Sequence, residues 1–187
     1  MQLVQLEIDM ARKVEVHPYD PAWPGMYKEE AARLRPVIGI NLIVLYHIGS
    51  TAVPGLAAKP TIDILAVVQS HECLDSCIPD LQTLGYQAKG ENGIPGRRYF
   101  QKLQGEVHLT HIHAFEEGHP DIQRHLNLRD FLQAHPEETK AYVALKQELA
   151  DQYTYEPKRY TEGKSEFIRA ADRRAAAWRM VQERLEK

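Results

Sequence analysis

The sequence predicts an α+β fold: a mixed β-sheet flanked by helices, with a helical last third packed on it. Three observations carry that expectation. Residues 42–48 and 61–68 are short, almost unbroken apolar runs of the kind that form strands buried on both faces. Residues 97–103 and 106–115 read as two further strands joined near Gly105. From His119 onward the apolar residues recur at helical spacing, and such stripes need a surface to cover.

The elements follow in order. Residues 13–17 alternate and read as a short strand. Pro21 and Pro24 then open a helix, with Asp20 as its cap, running to about Val37 with Tyr27, Ala31 and Leu34 inward. The apolar run 42–48 stops at Gly49-Ser50-Thr51, and Pro54-Gly55 marks a turn. Residues 71–84 read as one helix ended by Gly85. In the last third, Ile122, Leu126, Phe131 and Leu132 share a face, and Pro136 breaks the run. Ala141, Leu145 and Leu149 mark the next helix. Phe167, Ala171, Ala175, Trp178 and Leu185 mark the last, with Thr161 as its N-cap.

At 187 residues the chain suits one domain, expected over residues 13–187 with residues 1–12 as an N-terminal extension. Hydrophobic residues at 43% and charged residues at 26% fit a globular protein. A net charge of -3, with no interleaving of basic and aromatic residues, argues against nucleic acid as a partner. No apolar run approaches the ~18 residues of a membrane helix. The amphipathic start, with Glu7 and Asp9, lacks the parts of a signal peptide, so no membrane partner and a cytoplasmic location are expected. Cys73 and Cys77 are expected as free thiols on one helix face.

The chemistry gathers at one place. A strand runs into Gly49-Ser50, and Asp63 sits inside the next strand. Glycine lets backbone approach a phosphate, and N–H groups with the Ser50 and Thr51 hydroxyls can hold its oxygens. A strand carboxylate can hold a divalent ion that bridges the same oxygens, and Lys59 can neutralise their charge. His47 ends the strand before the loop and is placed to orient the loop or the substrate.

The run His47-Ile48-Gly49-Ser50-Thr51-Ala52-Val53-Pro54-Gly55-Leu56-Ala57-Ala58-Lys59-Pro60, followed by Ile62-Asp63-Ile64, resembles the signature of the GrpB family. The resemblance extends to residues 16–23, 97–100, 111–113, 124–130 and 160–168. It implies a fold of the nucleotidyltransferase superfamily and a link to coenzyme A biosynthesis, because relatives are fused to dephospho-coenzyme A kinases. The superfamily pattern places a Gly-Ser loop before a strand with two carboxylates one residue apart. Gly49, Ser50 and Asp63 match it; the second acid position holds Leu65.

His111 and His113 share one strand face and, beside Asp63, would complete a His-His-Asp metal group able to act as ligands or general base. The resident cation expected is a divalent metal, Mg²⁺ or Mn²⁺ before Zn²⁺. Arg97, Arg98, Arg124, Arg129 and Lys164 lie in or beside the shared motifs and suit phosphate binding, although Arg129 next to Asp130 also suits a structural pair. Tyr160 with Lys164 is expected at a helix start, where anions bind.

Three functions remain open. The chain would be a metal-dependent nucleotidyltransferase acting on a nucleoside triphosphate and an unknown small-molecule acceptor. It would instead be a non-catalytic nucleotide-binding or regulatory module, which Leu65 favours. Or it would be a metal-dependent hydrolase using His111, His113 and Asp63.

Overall fold

The computed structural model describes residues 13–185, and the amphipathic start in residues 1–12 lies outside them. Five strands form one mixed sheet: β1 (Leu42–Ile48), β2 (Ile62–Val68), β3 (Tyr86–Ala88), β4 (Arg98–Gln104) and β5 (Val107–Glu116), in the order β1-β2-β5-β4-β3. β2 and β5 pair in parallel, and the other neighbours are antiparallel. β2 lies inside the sheet and is buried on both faces, which explains its unbroken apolar run. β1 has the same composition but is an edge strand, and Ile43 is exposed on it. Hydrophobicity alone could not separate the two.

Alternation along β2 and β5 divides the core. Ile62, Ile64, Ala66, Val68, Ile112 and Ala114 face α1 (Trp23–Ile38) and join Trp23, Ala31 and Leu34 in the largest apolar cluster. α1 begins as its prolines predict, although the cap position is Ala22. Asp20 acts just ahead of it, accepting the Ala22 N–H at 2.8 Å. Leu65 and Phe115 face the other way. With Ile48 they form a second cluster covered by Ile122 and Leu126 of α4 (Pro120–Ala134).

The helix expected over residues 71–84 is two, α2 (His71–Ser76) and α3 (Ile78–Thr83). Pro79, which lacks an N–H, opens the second. Cys73 and Cys77 are free thiols, and the Cys77 thiol donates to the Cys73 carbonyl at 3.3 Å. Residues 13–17 do not form a sheet strand. They make one bridge, His17 to Ala58, and Val14 packs on Leu149 and Tyr160.

The last third adds α5 (Pro136–Gln152), α6 (Pro157–Gly163) and α7 (Ser165–Leu185). α6 was not apparent in the sequence. Thr161 is inside it, its hydroxyl donating to Pro157 O at 2.9 Å, rather than capping α7. The inward face of α5 carries Thr139, Tyr142, Lys146 and Leu149, with Leu145 packed beside them as expected; of the expected stripe, Ala141 is exposed. On α7, Ala171 and Ala175 are buried as expected, but Leu185 is exposed. Among the described residues, no helix is long and apolar enough to cross a membrane.

Leu65 tests the packing of the second cluster. Leu65→Ala should cost about 2–5 kcal/mol of unfolding free energy in a denaturant titration. Leu65→Asp should cost more, because the carboxylate would sit against Phe115 and Ile48. An Asp variant as stable as wild type would refute this account.

Candidate functional site

The parallel register of β2 and β5 sets Asp63 opposite His111. Their side chains share the face turned toward the helical last third. His111 Nδ1 lies 3.1 Å from Asp63 Oδ1, and His113 Nε2 lies 3.6 Å from the same oxygen. The other oxygen, Oδ2, faces the Gly-Ser loop. A Cβ built on Gly49 would stand 2.5 Å from it, and Gly49 has φ 72°, so this position needs glycine on both counts. Burial pushes the Asp63 carboxyl up, but its bonds to His111 and His113 outweigh that and hold it well below the usual carboxylate range.

The proton positions on the histidines follow from their partners. Arg97 Nη1 lies 3.2 Å from His113 Nδ1, and a guanidinium only donates. His113 therefore accepts at Nδ1, and its Nε2–H points at Asp63. Arg97 is itself held by the carbonyls of Glu91 and Asn92. His111 donates from Nδ1 to the Asp63 carboxylate, which leaves its Nε2 to accept from His108 Nδ1 at 2.8 Å. In this arrangement both imidazoles are donors to Asp63 rather than metal ligands, because a ligand nitrogen must offer a lone pair. Among the described residues no group of three or more His, Cys, Asp or Glu side chains is placed to hold a metal ion.

In front of Asp63 lies a cavity of about 280 Å³ lined by Ser50, Thr51, Lys59, Asp63, His111, Lys146, Tyr160 and Lys164 among others. Lys59 and Lys164 flank the buried Tyr160 ring, 4.7 and 4.4 Å from its centroid. Lys146 forms the floor. It is 2% exposed, and its Nζ donates to Ser50 Oγ at 2.6 Å and to Ala57 O at 2.9 Å. Burial, with Lys164 nearby, lowers Lys146 to about 7; burial, with Lys59 nearby, lowers Lys164 to about 8. A larger hollow of about 550 Å³ lies between residues 13–17 and α5, but its lining mixes Glu15 and Asp151 with Lys13 and His17.

Several residues singled out in the sequence stand elsewhere. Arg98 is locked to Asp75 of α2 through Nε and Nη2 at 2.9 and 3.0 Å. Arg124 pairs with Asp121 and Asp172. Arg129 pairs with Asp130 and donates to His47 O at 3.1 Å. Like Arg97, none of these lines the cavity. His47 serves the loop: its Nε2 is 3.0 Å from Thr51 Oγ1, whose hydroxyl can donate to Thr61 O. Burial pushes His47 down to about 4, against the pull of Asp63. Tyr160 lies within α6, and Lys164 sits between α6 and α7. Sequence reading missed Lys146. Its signal was a lysine on the inward face of α5, four residues after Tyr142 and three before Leu149.

A family profile described as "GrpB protein" matches residues 13–174. UPF0157 protein YqkA of Bacillus subtilis is 45% identical over 168 residues, covering 90% of this chain and 49% of that protein. A dephospho-CoA kinase of Mycolicibacterium paratuberculosis is 29% identical over 189 residues, covering 88% of this chain and 46% of that protein. The chain thus spans about half the length of both. The crystal structure of conserved protein GrpB from Enterococcus faecalis superposes with a TM-score of 0.83 at 35% identity, over 86% of this chain and 96% of that one. A poly(U) polymerase bound to MgATP overlaps 71% of this chain and 45% of its own at 12% identity, with a TM-score of 0.46, too remote to carry weight.

Two measurements test this geometry. Nitrogen-15 NMR should find His113 protonated at Nε2 with Nδ1 bare, and Arg97→Met should release that preference. A wild-type His113 protonated at Nδ1 would contradict the Arg97 contact. Stability should rise from about pH 7 to pH 10, because the unfolded chain keeps protons there that the lowered lysines have shed. Lys146→Met should flatten that rise in denaturant titrations; an unchanged slope would mean Lys146 is not depressed.

Proposed function

The chain belongs to the GrpB family, and on that premise we propose that it binds a nucleoside triphosphate through its phosphates and transfers the nucleotidyl group to a small-molecule acceptor. One observation carries the binding: Lys59, Lys146 and Lys164 converge on a cavity whose only acidic lining residue is Asp63. Lys59 and Lys164, with Lys146 poised near neutrality behind them, outweigh one carboxylate and leave an excess of positive charge that a polyphosphate would balance. The volume, about 280 Å³, is at the small end for ligand pockets. It suits a chain of phosphates, with the ribose and base outside it.

The Gly49-Ser50 loop supplies close backbone and a hydroxyl, as the superfamily pattern requires. Asp63 Oδ2, turned toward that loop, would offer one oxygen to a divalent ion arriving with the phosphates. Mg²⁺ suits this better than Zn²⁺, since it is commonly held by one or two carboxylates plus substrate phosphates. Such an ion would supply charge stabilisation at the phosphates. His111 and His113 would hold Asp63 ionised and aimed. That role favours transfer over the His-His-Asp hydrolase, which would need their lone pairs.

The second reading, binding without transfer, is favoured by Leu65, which leaves one strand carboxylate where two-metal chemistry uses more. The likeness to a protein named dephospho-CoA kinase makes dephospho-coenzyme A the first acceptor to try and is the support for a link to coenzyme A biosynthesis.

Calorimetric titration of ATP, GTP, CTP and UTP with Mg²⁺ tests the reading. Binding should occur and weaken as pH rises through about 8, where Lys164 loses its charge. Lys164→Ala should weaken it roughly tenfold or more, a charged hydrogen bond being worth about 1.5–3 kcal/mol. Asp63→Asn should remove its Mg²⁺ dependence. If no nucleotide binds, the reading fails. If binding survives Asp63→Asn with its Mg²⁺ dependence intact, the second reading gains.

A further inference from the structure

Lys146 and Ser50 form a pair that phosphate binding alone leaves unexplained. A lysine that only attracts phosphate works best where it keeps its full charge. Lys146 is instead buried on the floor, with no carboxylate bonded to it. Its Nζ touches the Ser50 hydroxyl at 2.6 Å and is steadied by Ala57 O at 2.9 Å. Ser50 lines the same cavity.

This is how a serine is made nucleophilic: a base within hydrogen-bond reach, oriented by a third group. Burial and a neighbouring cation are the two influences that bring a lysine near neutrality, and both act on Lys146. A neutral amine can keep its donation to Ala57 O while its lone pair accepts the Ser50 proton. The other groups on the cavity wall suit this less well. Asp63 is held strongly ionised and is a poor base, and His111 turns its ring nitrogens to Asp63 and His108.

Resting on the nucleotide reading above, we propose that Ser50 is a nucleophile activated by Lys146 and takes up the nucleotidyl group itself before an acceptor does. Ser50 Oγ bonds to the α-phosphorus as its proton passes to the Lys146 amine. The bond from that phosphorus to the oxygen bridging to the β-phosphate breaks, and diphosphate leaves with the electron pair. The product is a phosphodiester between Ser50 and the nucleoside. An acceptor hydroxyl then attacks the same phosphorus and gives up its proton to solvent water, while Ser50 Oγ departs and recovers its own proton from the Lys146 ammonium. Lys59 and Lys164 sit where the departing diphosphate needs charge.

The test needs no acceptor. Wild-type protein is incubated with Mg²⁺ and the nucleotide that binds in the calorimeter, then examined by intact and peptide mass spectrometry. The expected result is one nucleoside monophosphate on the peptide containing Ser50, with one diphosphate released. Ser50→Ala should abolish the adduct. Lys146→Arg, which keeps charge and donors but cannot act as base, should slow it about 100-fold or more. The wild-type rate should climb as pH rises through about 7, where Lys146 becomes neutral. Nucleotide bound without an adduct would overturn the proposal while leaving binding intact. So would an adduct on another residue, or one carrying phosphate alone. Failure of every nucleotide to bind would overturn both.

Discussion

The site is organised by one requirement: the Asp63 carboxylate, on an interior strand, must be satisfied on both sides. An unpaired carboxylate there costs several kcal/mol, so its neighbours are constrained in turn. The parallel pairing of β2 with β5 brings His111 alongside Asp63, and His113 follows one pleat later. His111 bonds to Oδ1 and His113 stands 3.6 Å from it, and Arg97 fixes the His113 tautomer that turns its Nε2–H that way. Gly49 must lack a Cβ because Oδ2 occupies the space. One oxygen thus faces the histidines, and the other faces the loop.

The same requirement explains why the helical third belongs to the site rather than merely covering the sheet. Lys146 comes from α5, Tyr160 from α6, and Lys164 from the junction with α7. The sheet supplies the carboxylate, and the helices supply the cations. Bringing three lysines together, one of them buried, is unfavourable without an anion, as the lowered proton affinities of Lys146 and Lys164 express. The apolar clusters beneath β1, β2 and β5 bear that cost, so the fold holds an electrostatic deficit ready for a ligand to relieve.

Most of the fold was legible in the sequence. Strands β1, β2, β4 and β5 and the longer helices announce themselves by period and by their proline and glycine boundaries. What escaped did so for physical reasons. β3 is three residues long, and α6 is too short for a periodic signal. β1 carries the composition of a central strand although it lies at the edge. The loop, Asp63 and the two histidines were legible because a carboxylate in an apolar strand is rare and because i, i+2 places both imidazoles on its side. Arg98 and Arg124 misled, since a side chain suited to phosphate is equally suited to Asp75 or Asp121, whereas the Arg129–Asp130 pair was legible from its adjacency. Lys146 was hidden because the stripe read through Leu145 and Leu149 marks the apolar part of the inward face, and a lysine beside it reads as a solvated charge.

Leu65 marks where this chain departs from a two-carboxylate site, and its surroundings give the reason. It is fully buried with Ile48 and Phe115, under the α4 residues Ile122 and Leu126. An acid there would have to displace the contact that fastens α4 to the sheet. A site with several carboxylates draws its positive charge from ions in solution. A site with one carboxylate and several lysines carries positive charge on its own side chains. Charge fixed in the fold is already oriented before any ligand arrives, which is the sense in which such a site is preorganised. Leu65 in the core and the gathering of Lys59, Lys146 and Lys164 around Asp63 are therefore two features of one electrostatic arrangement.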